Sequence, residues 1–117
     1  MSIFVRARFD AHDRRQAEFE ELALALRKQT EDESGTLTYR LFSAGGGSYL
    51  VLEEYVDSAA VAVHQERAAD LLARVGQCAD MVSVEIYGPI GPDIRAWASA
   101  RPQVSLYPDF PDDGAQN

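Results

Sequence analysis

The sequence has little of three things: cysteine, positive charge and long apolar runs. Cys78 is the only cysteine in 117 residues, which excludes an intrachain disulfide and a thiolate metal cluster within one chain. Lysine and arginine total 11 against 19 acidic residues, and the formal net charge is −8. Nucleic acids and anionic membranes require a clustered basic surface, so this composition predicts neither as a partner. A single free cysteine favours a reducing, cytoplasmic location.

The sequence also shows no segment with the pattern that directs a chain into or across a membrane. No stretch approaches the ~20 apolar residues that span a bilayer. Residues 1–5 lack the basic start and the apolar core of a signal peptide. His12 lies beside two aspartates, and we interpret this loop as a solvated turn, so that no metal site is predicted.

What the chain does contain is the alternation of strand and helix patterns that is typical of one small α+β domain. Apolar residues recur with period two in the strands and with helical period in the helices. The predicted strands are 3–9, 36–43, 49–56 and 81–90, and the predicted helices are 14–33 and 59–75. The second helix is expected to break near residues 64–67.

Short-range signals mark the ends of these elements. Asp13 and Asp57 precede the two helices as predicted N-caps. Gly35 and Gly76 are predicted to end them. Residues 45–47 are three glycines that join two strands without opening a helix, and no lysine follows them. We therefore predict a hairpin turn here and not a phosphate-binding loop.

The order β-α-β-β-α-β predicts a ferredoxin-like α+β fold. Right-handed crossovers place a four-stranded antiparallel sheet under two helices, both on one face. The other sheet face is then uncovered, and residues such as Leu50 and Leu52 make it apolar. Two sheets packed face to face bury this surface, so we expect a homodimer.

Residues 91–117 differ in composition from the domain predicted over residues 1–90. This C-terminal extension holds four of the five prolines and three aromatic residues. A short helix over 93–100 and a short strand over 103–106 are expected. The extension either docks on the domain or its partner, or is a loosely attached tail. Its last residues, 111–117, are expected to be disordered.

Residues 50–64, with the sequence LVLEEYVDSAAVAVH, place a carboxylate, a tyrosine, a capping aspartate and a helical histidine close together. This segment resembles the antibiotic biosynthesis monooxygenase family, whose pattern is E-x-Y-x-D followed by a small-residue helix ending in His. The matching residues are Glu53, Tyr55, Asp57, Ala60 and His64. Residues 33–39, ESGTLTY, also resemble that family's link from helix to strand. The resemblance covers about residues 3–90.

The resemblance implies a dimeric α/β-barrel superfamily fold and a monooxygenase that oxidises a small quinol-like or polycyclic phenolic substrate with O2, without a metal or other cofactor. Proton removal from a phenol calls for a base that titrates near neutrality, and His64 has that role on this hypothesis. Glu53 is expected to orient His64 or raise its pKa. Four residues are candidates for substrate binding, as hydrogen-bond donors, stacking walls or an oxyanion contact: Tyr39, Tyr49, Tyr55 and Arg6.

Each of these residues also has a structural interpretation. A lone helical histidine is often only a hydrogen-bonded structural residue, and strand tyrosines are mostly packing. Many family members have a second histidine after the first, whereas residues 65–70 here are QERAAD. That difference favours the alternative of a non-enzymatic small-molecule-binding or stress-associated protein. A haem-degrading relative fits less well, because the only tryptophan, Trp97, lies in the C-terminal extension.

Overall fold

The computed structural model describes residues 1–111, which form five strands and four helices. The elements, in chain order, are β1 (Ile3–Ala11), α1 (Gln16–Thr30), β2 (Thr36–Gly45), β3 (Ser48–Tyr55), α2 (Ser58–Arg67), α3 (Ala69–Cys78), β4 (Ala79–Gly88), α4 (Pro92–Ser99) and β5 (Val104–Pro108). The disorder expected of residues 111–117 falls, apart from Pro111, outside the described part. Within residues 1–111, no helix is both long enough and apolar enough to cross a membrane.

All five strands form one mixed sheet in the order β2-β3-β1-β4-β5. The first four are antiparallel neighbours, and β5 runs parallel to β4, from the pair Val84↔Val104 to the pair Gly88↔Pro108. The α+β ferredoxin-like arrangement is thus confirmed, but the prediction of a four-stranded antiparallel sheet is wrong. The extra strand comes from the C-terminal extension, and α4 supplies the crossover connection that a parallel neighbour requires.

The helices cover one face of the sheet. In β3 every second residue is buried beneath them: Tyr49, Val51, Glu53 and Tyr55. This alternation is the period-two pattern expected of a strand with one covered face. Helices α1 and α3 pack over one part of this face around Phe19 and Val75, and α4 packs over another through Ile94.

The C-terminal extension docks on its own domain. Ile94 of α4 is 6% exposed and packs with Ile3, Val84 and Ile86. On the opposite face of the sheet, the rings of Tyr87 and Tyr107 stack with centroids 5.1 Å apart. The structure therefore supports docking of the extension on the domain, and not a loosely attached tail, for the residues up to Pro108.

Two of the predicted local signals are confirmed, the N-cap of helix α2 and the glycine hairpin turn. The Asp57 carboxylate accepts a hydrogen bond from the backbone N–H of Ala60 at 2.9 Å and so caps α2. Helix α2 ends at Arg67, and Ala68 separates it from α3. Residues 45–47 all have positive φ, as a glycine turn allows.

Three other predicted end signals are wrong. Asp13 makes no cap, because α1 begins at Gln16 with Arg15 as its N-cap residue and no side-chain hydrogen bond. Gly76 lies inside α3, which continues to Cys78. Helix α1 ends at Thr30, well before Gly35, and its C-cap residue has ordinary right-handed geometry. Gly35 therefore serves another purpose, described below.

Candidate functional site

A cavity of about 550 Å³ lies between the sheet and the helices. Its floor is the covered face of the sheet, where the central strand β1 presents the small side chains of Val5 and Ala7. Because these side chains are small, they do not fill the space between the sheet and the helices that cover it. The volume falls within the range of ~300–1,000 Å³ that is usual for small-molecule sites.

The polar groups of this cavity gather mainly over β2 and β3. One row of cross-strand neighbours runs from Tyr39 to Glu53 and on to Val5 and Ile86. Tyr39 and Glu53 thus face the cavity beside apolar side chains of the two inner strands. An apolar cavity with a few convergent polar groups is typical of a site that holds a flat organic molecule.

His64 lies at this polar end and is almost completely buried, with 2% of its surface exposed. Its imidazole is between two tyrosine rings, with centroid distances of 5.6 Å to Tyr39 and 5.5 Å to Tyr55. Its Nδ1 lies 2.9 Å from the carboxylate Oε1 of Glu33. Its Nε2 makes no hydrogen bond to the part of the chain that the structure describes.

Glu33 is a candidate site residue that the sequence analysis missed. It follows Glu31 and Asp32 in an acidic stretch of a kind that is usually solvated, yet the Glu33 side chain is only 2% exposed. Its Oε1 also accepts a hydrogen bond from Thr36 Oγ1 at 2.9 Å, and its Oε2 lies 3.7 Å from Nη1 of Arg67. The available signal was its place at the start of ESGTLTY, the segment that resembles the family's link.

We expected Glu53 to orient the histidine, but that contact belongs to Glu33. The buried Glu53 carboxylate instead accepts a hydrogen bond from the hydroxyl of Tyr55. Burial raises the pKa of Glu53 above that of an ordinary glutamate, and this effect outweighs the opposing effects of Tyr55 and His64. Glu53 therefore retains its proton to higher pH than an exposed carboxyl group does.

The two tyrosines of the site are neutral hydrogen-bond donors. Burial raises the pKa of Tyr39 and of Tyr55, and the neighbouring Glu53 carboxylate adds to both shifts. A phenol in a dry pocket beside a carboxylate loses its proton only with difficulty. Tyr39 therefore contributes an O–H group and a ring surface, whereas Tyr55 contributes a ring surface, because its O–H is donated to Glu53.

Two of the six predicted site residues lie away from the cavity. The ring of Tyr49 packs on Phe19 at 4.6 Å, and its hydroxyl donates to Glu20, which raises the pKa of Tyr49 to about 12. Arg6 faces the opposite side of the sheet, where it forms an ion pair of 2.8 Å with Glu85. Its position follows from strand alternation, because Val5 and Ala7 on either side face the cavity.

Gly35 controls how closely α2 approaches the loop that carries Glu33. A Cβ atom at position 35 would lie 2.5 Å from Cβ of Ala60, one helical turn before His64. Such a contact is impossible without moving the helix. Glycine at 35 and alanine at 60 thus allow the Glu33–His64 hydrogen bond to form.

The C-terminal extension supplies the other end of the cavity. Asp93, Ile94 and Trp97 of α4 line it, together with Arg101 from the connection to β5. The sequence suggested that the aromatic residues of the extension dock, but not that Trp97 lines the cavity. In residues 1–111, no cluster of three His, Cys, Asp or Glu side chains is arranged to hold a metal ion.

A ferredoxin-like domain with a buried histidine–carboxylate pair in an apolar cavity defines the structural class of this protein. The family model of the antibiotic biosynthesis monooxygenases matches residues 2–80, more than half of the chain. The chain therefore belongs to this family, and the resemblance seen in the sequence is confirmed. No curated protein matches the chain in sequence.

Solved structures share the fold. MupZ from Pseudomonas fluorescens is 20% identical, with a TM-score of 0.78 over 97% of this chain and 96% of that one. Rv0793 from Mycobacterium tuberculosis is 26% identical, with a TM-score of 0.69 over 78% and 97%. A conserved protein from Methanosarcina mazei Go1 is 22% identical, with a TM-score of 0.69 over 74% and 91%. The match to MupZ is long enough to take in α4 and β5.

Proposed function

We propose that this protein is a monooxygenase that oxidises a quinol-like or polycyclic phenolic substrate with O2 and without a cofactor. The observation that carries the proposal is the buried His64–Glu33 pair at the polar end of an apolar cavity. Membership of the antibiotic biosynthesis monooxygenase family supports oxygenase chemistry. The apolar walls suit a flat aromatic molecule, and they exclude bulk water from the reacting groups.

His64 is the proposed general base. With Nδ1 donating its proton to Glu33, the free Nε2 is the acceptor for the acidic proton of the substrate. Glu33 then stabilises the imidazolium that forms, as the carboxylate of a catalytic triad does. The rings of Tyr39 and Tyr55 lie beside the imidazole. The O–H group of Tyr39 is proposed to stabilise the substrate anion, whereas the O–H of Tyr55 is already donated to Glu53.

The remaining steps take place on the substrate. For an anthrone-type ring, the deprotonated carbon gives one electron to O2, and the two radicals combine into a C–O bond. The resulting peroxide takes the proton back from His64. Loss of water then forms the carbonyl, so that the CH2 carbon exchanges two hydrogens for one oxygen atom, and the second oxygen leaves as water. Glu53, with its raised pKa, is a suitable proton donor to the departing oxygen, and the proton that the carbon loses in this step restores the protonated Glu53.

The test is aerobic incubation with a panel of anthrones and naphthohydroquinones, followed by O2 uptake and product mass. We expect turnover on at least one member and a loss of about 10²-fold or more in the His64→Ala variant, the usual contribution of a positioned base. His12→Ala is the matched control, because His12 is an exposed histidine paired with Asp80. Its activity should equal that of the unmutated protein.

Equal turnover by the unmutated protein and His64→Ala on every active substrate would refute the role of the base. A compound that binds tightly and is recovered unchanged after long aerobic incubation would instead favour the non-enzymatic binding protein. A Soret shift on titration with haem would reopen the haem-degrading alternative.

We also propose that the chain is a homodimer formed through the sheet face that bears no helices. This open face combines large apolar and aromatic side chains: Phe4, Phe42, Leu50, Leu52 and Tyr107. A second copy with the same face would remove them from water. Cys78 is a buried free thiol, which suits a reducing compartment, so we propose that the protein acts in the cytoplasm.

A further inference from the structure

Arg101 is a cation in the wall of the cavity that the C-terminal extension forms. It follows α4, whose Ile94 packs on Val84 and Ile86 of β4, whereas His64 lies against tyrosines of β2 and β3. Neighbouring strands are about 4.8 Å apart, so the three strand steps from β3 to β5 correspond to roughly 14 Å. A flat molecule of three fused rings with one substituent is long enough to reach from one end towards the other.

The guanidinium of Arg101 is held in place by Trp97. Its Cζ lies 4.5 Å from the centroid of the indole ring, and its Nη1 donates to the Trp97 carbonyl oxygen at 2.9 Å. Stacking on an aromatic face fixes the plane of an arginine and reduces the entropy lost when it binds a ligand. The remaining N–H groups are available to a bound molecule.

No carboxylate of residues 1–111 forms an ion pair with Arg101, in contrast to Arg6, Arg15 and Arg67. Asp93 lines the same wall of the cavity but does not reach the guanidinium within ion-pair distance. A fixed cation with free donors beside an apolar cavity is suited to bidentate binding of a carboxylate. A substrate with a single negative charge can thus be accepted by a chain whose net charge is −8.

We propose that the Trp97–Arg101 wall selects planar aromatic substrates that carry one carboxylate, with the carboxylate on Arg101 and the oxidisable ring towards His64. This inference rests on the proposed function for the reaction, but it concerns binding and is tested without turnover. It assigns the C-terminal extension the role of a specificity element.

The experiment compares anthraquinone-2-carboxylate with its neutral analogue, 2-(hydroxymethyl)anthraquinone. Both are already oxidised, so the proposed reaction cannot consume them. Isothermal titration calorimetry gives the two dissociation constants, and fluorescence of Trp97, the only tryptophan of the chain, reports occupancy of the cavity. We expect the carboxylate to bind the unmutated protein about tenfold or more tightly, as a charge-assisted pair does.

Arg101→Gln should bring the ratio of the two dissociation constants close to one, whereas the matched control Arg95→Gln, on the exposed side of α4, should leave the ratio unchanged. Arg101→Lys keeps the charge without the planar fork and should retain a reduced preference. The preference of the unmutated protein should also fall as NaCl is added, because a half-exposed charge pair is screened. That measurement needs no variant and remains decisive if Arg101→Gln does not fold.

A ratio near one in the unmutated protein, an unchanged ratio in folded Arg101→Gln, or a preference insensitive to salt would each overturn the inference. Failure of both compounds to bind would do the same. A protein that shows the preference but consumes no O2 with any substrate would refute the proposed function alone. A protein that oxygenates neutral phenols and shows no preference would refute this inference alone.

Discussion

At the residue scale, Glu33 joins two elements of the site, α2 and β2. Its carboxylate contacts His64 on α2, Thr36 at the start of β2 and Arg67 at the end of α2. A buried carboxylate requires such partners, because removing it from water without them costs several kcal/mol. The same contacts fix the direction of the His64 ring and identify Nε2 as the nitrogen available to a substrate.

Replacing Glu33 by glutamine should therefore lower turnover with little change in substrate binding. Glutamine keeps the shape but not the negative charge that stabilises the imidazolium, so we expect kcat to fall by on the order of 10²-fold or more. Steady-state O2 uptake measures the effect. Glu31→Gln is the control, since Glu31 is exposed and pairs with Lys28 at 3.9 Å. A normal kcat in folded Glu33→Gln would show that the carboxylate only supports the structure.

Glu53 should make stability depend on pH. Its pKa is raised in the folded protein, chiefly by burial, so above the ordinary pKa of about 4.5 the unfolded chain loses this proton before the folded chain does. The unfolded state then binds fewer protons, and the free energy of unfolding contributed by this group falls as the pH rises through the folded pKa.

The variant Glu53→Gln cannot ionise, so it removes this pH-dependent loss of stability, and its side-chain oxygen still accepts the hydrogen bond from Tyr55. We expect its Tm at pH 8 to exceed that of the unmutated protein, and the difference to shrink as the pH falls below 4.5. Thermal unfolding over a pH series measures both. Glu54→Gln, on the opposite sheet face and bonded to Thr38, should not show this pattern. A difference in Tm that stays constant across the series would contradict the assignment to ionisation.

At the element scale, helix α2 carries the proposed base, and the start of this helix is capped by one side chain. Asp57→Ala removes the hydrogen bond to the N–H of Ala60 and should lower the free energy of unfolding by about 1 kcal/mol. Asp13→Ala should change it by less than about 0.5 kcal/mol, because Asp13 does not cap α1. Urea denaturation of the two variants compares a real N-cap with a false one. Equal losses in both would contradict this distinction.

Features that depend on neighbours in sequence were predicted well. The alternation in β3, the glycine turn of residues 45–47 and the cap at Asp57 each involve atoms within a few residues of one another. The candidate base and two of its tyrosine neighbours, Tyr39 and Tyr55, also meet in the structure as a cluster.

Features that depend on distant contacts were not predicted. Glu33 and His64 are 31 residues apart, and a carboxylate in an acidic stretch has the same local pattern whether it is solvated or buried. The parallel pairing of β5 is determined by where α4 leads the chain, which no local period reveals. Gly76 lies in a helix because packing of α3 outweighs the weak helix propensity of one glycine.

At the scale of the whole molecule, the sheet separates a helix-covered face, which holds the cavity described above, from an open face without helices. The open face includes Phe4, Phe42 and Tyr107, which are 43%, 40% and 48% exposed. The ion pair between Arg6 and Glu85 crosses the same surface. A mixed surface of this kind is typical of a contact between subunits, in which aromatic residues supply area and charges fix the orientation.

A charge in this face should separate the subunits. We expect Phe4→Glu to weaken the proposed dimer tenfold or more, because each protomer would place a carboxylate in an apolar contact. Sedimentation over a range of concentrations distinguishes a 12.9 kDa monomer from twice that mass. Val63→Glu is the control, since Val63 is equally exposed but lies on α2. A monomeric unmutated protein at all concentrations would refute the dimer.

The contact between Gly35 and Ala60 limits how this family member can diverge. The loop and the helix are separated by a single methyl group, so an added carbon on either side would force the two backbones apart. We expect positions 35 and 60 to covary in related sequences that keep both the acidic residue at 33 and the imidazole at 64. In those sequences the two side chains together should be no larger than one methyl group. An alignment of relatives tests this: bulky pairs at 35 and 60 alongside an intact Glu33 and His64 would contradict it.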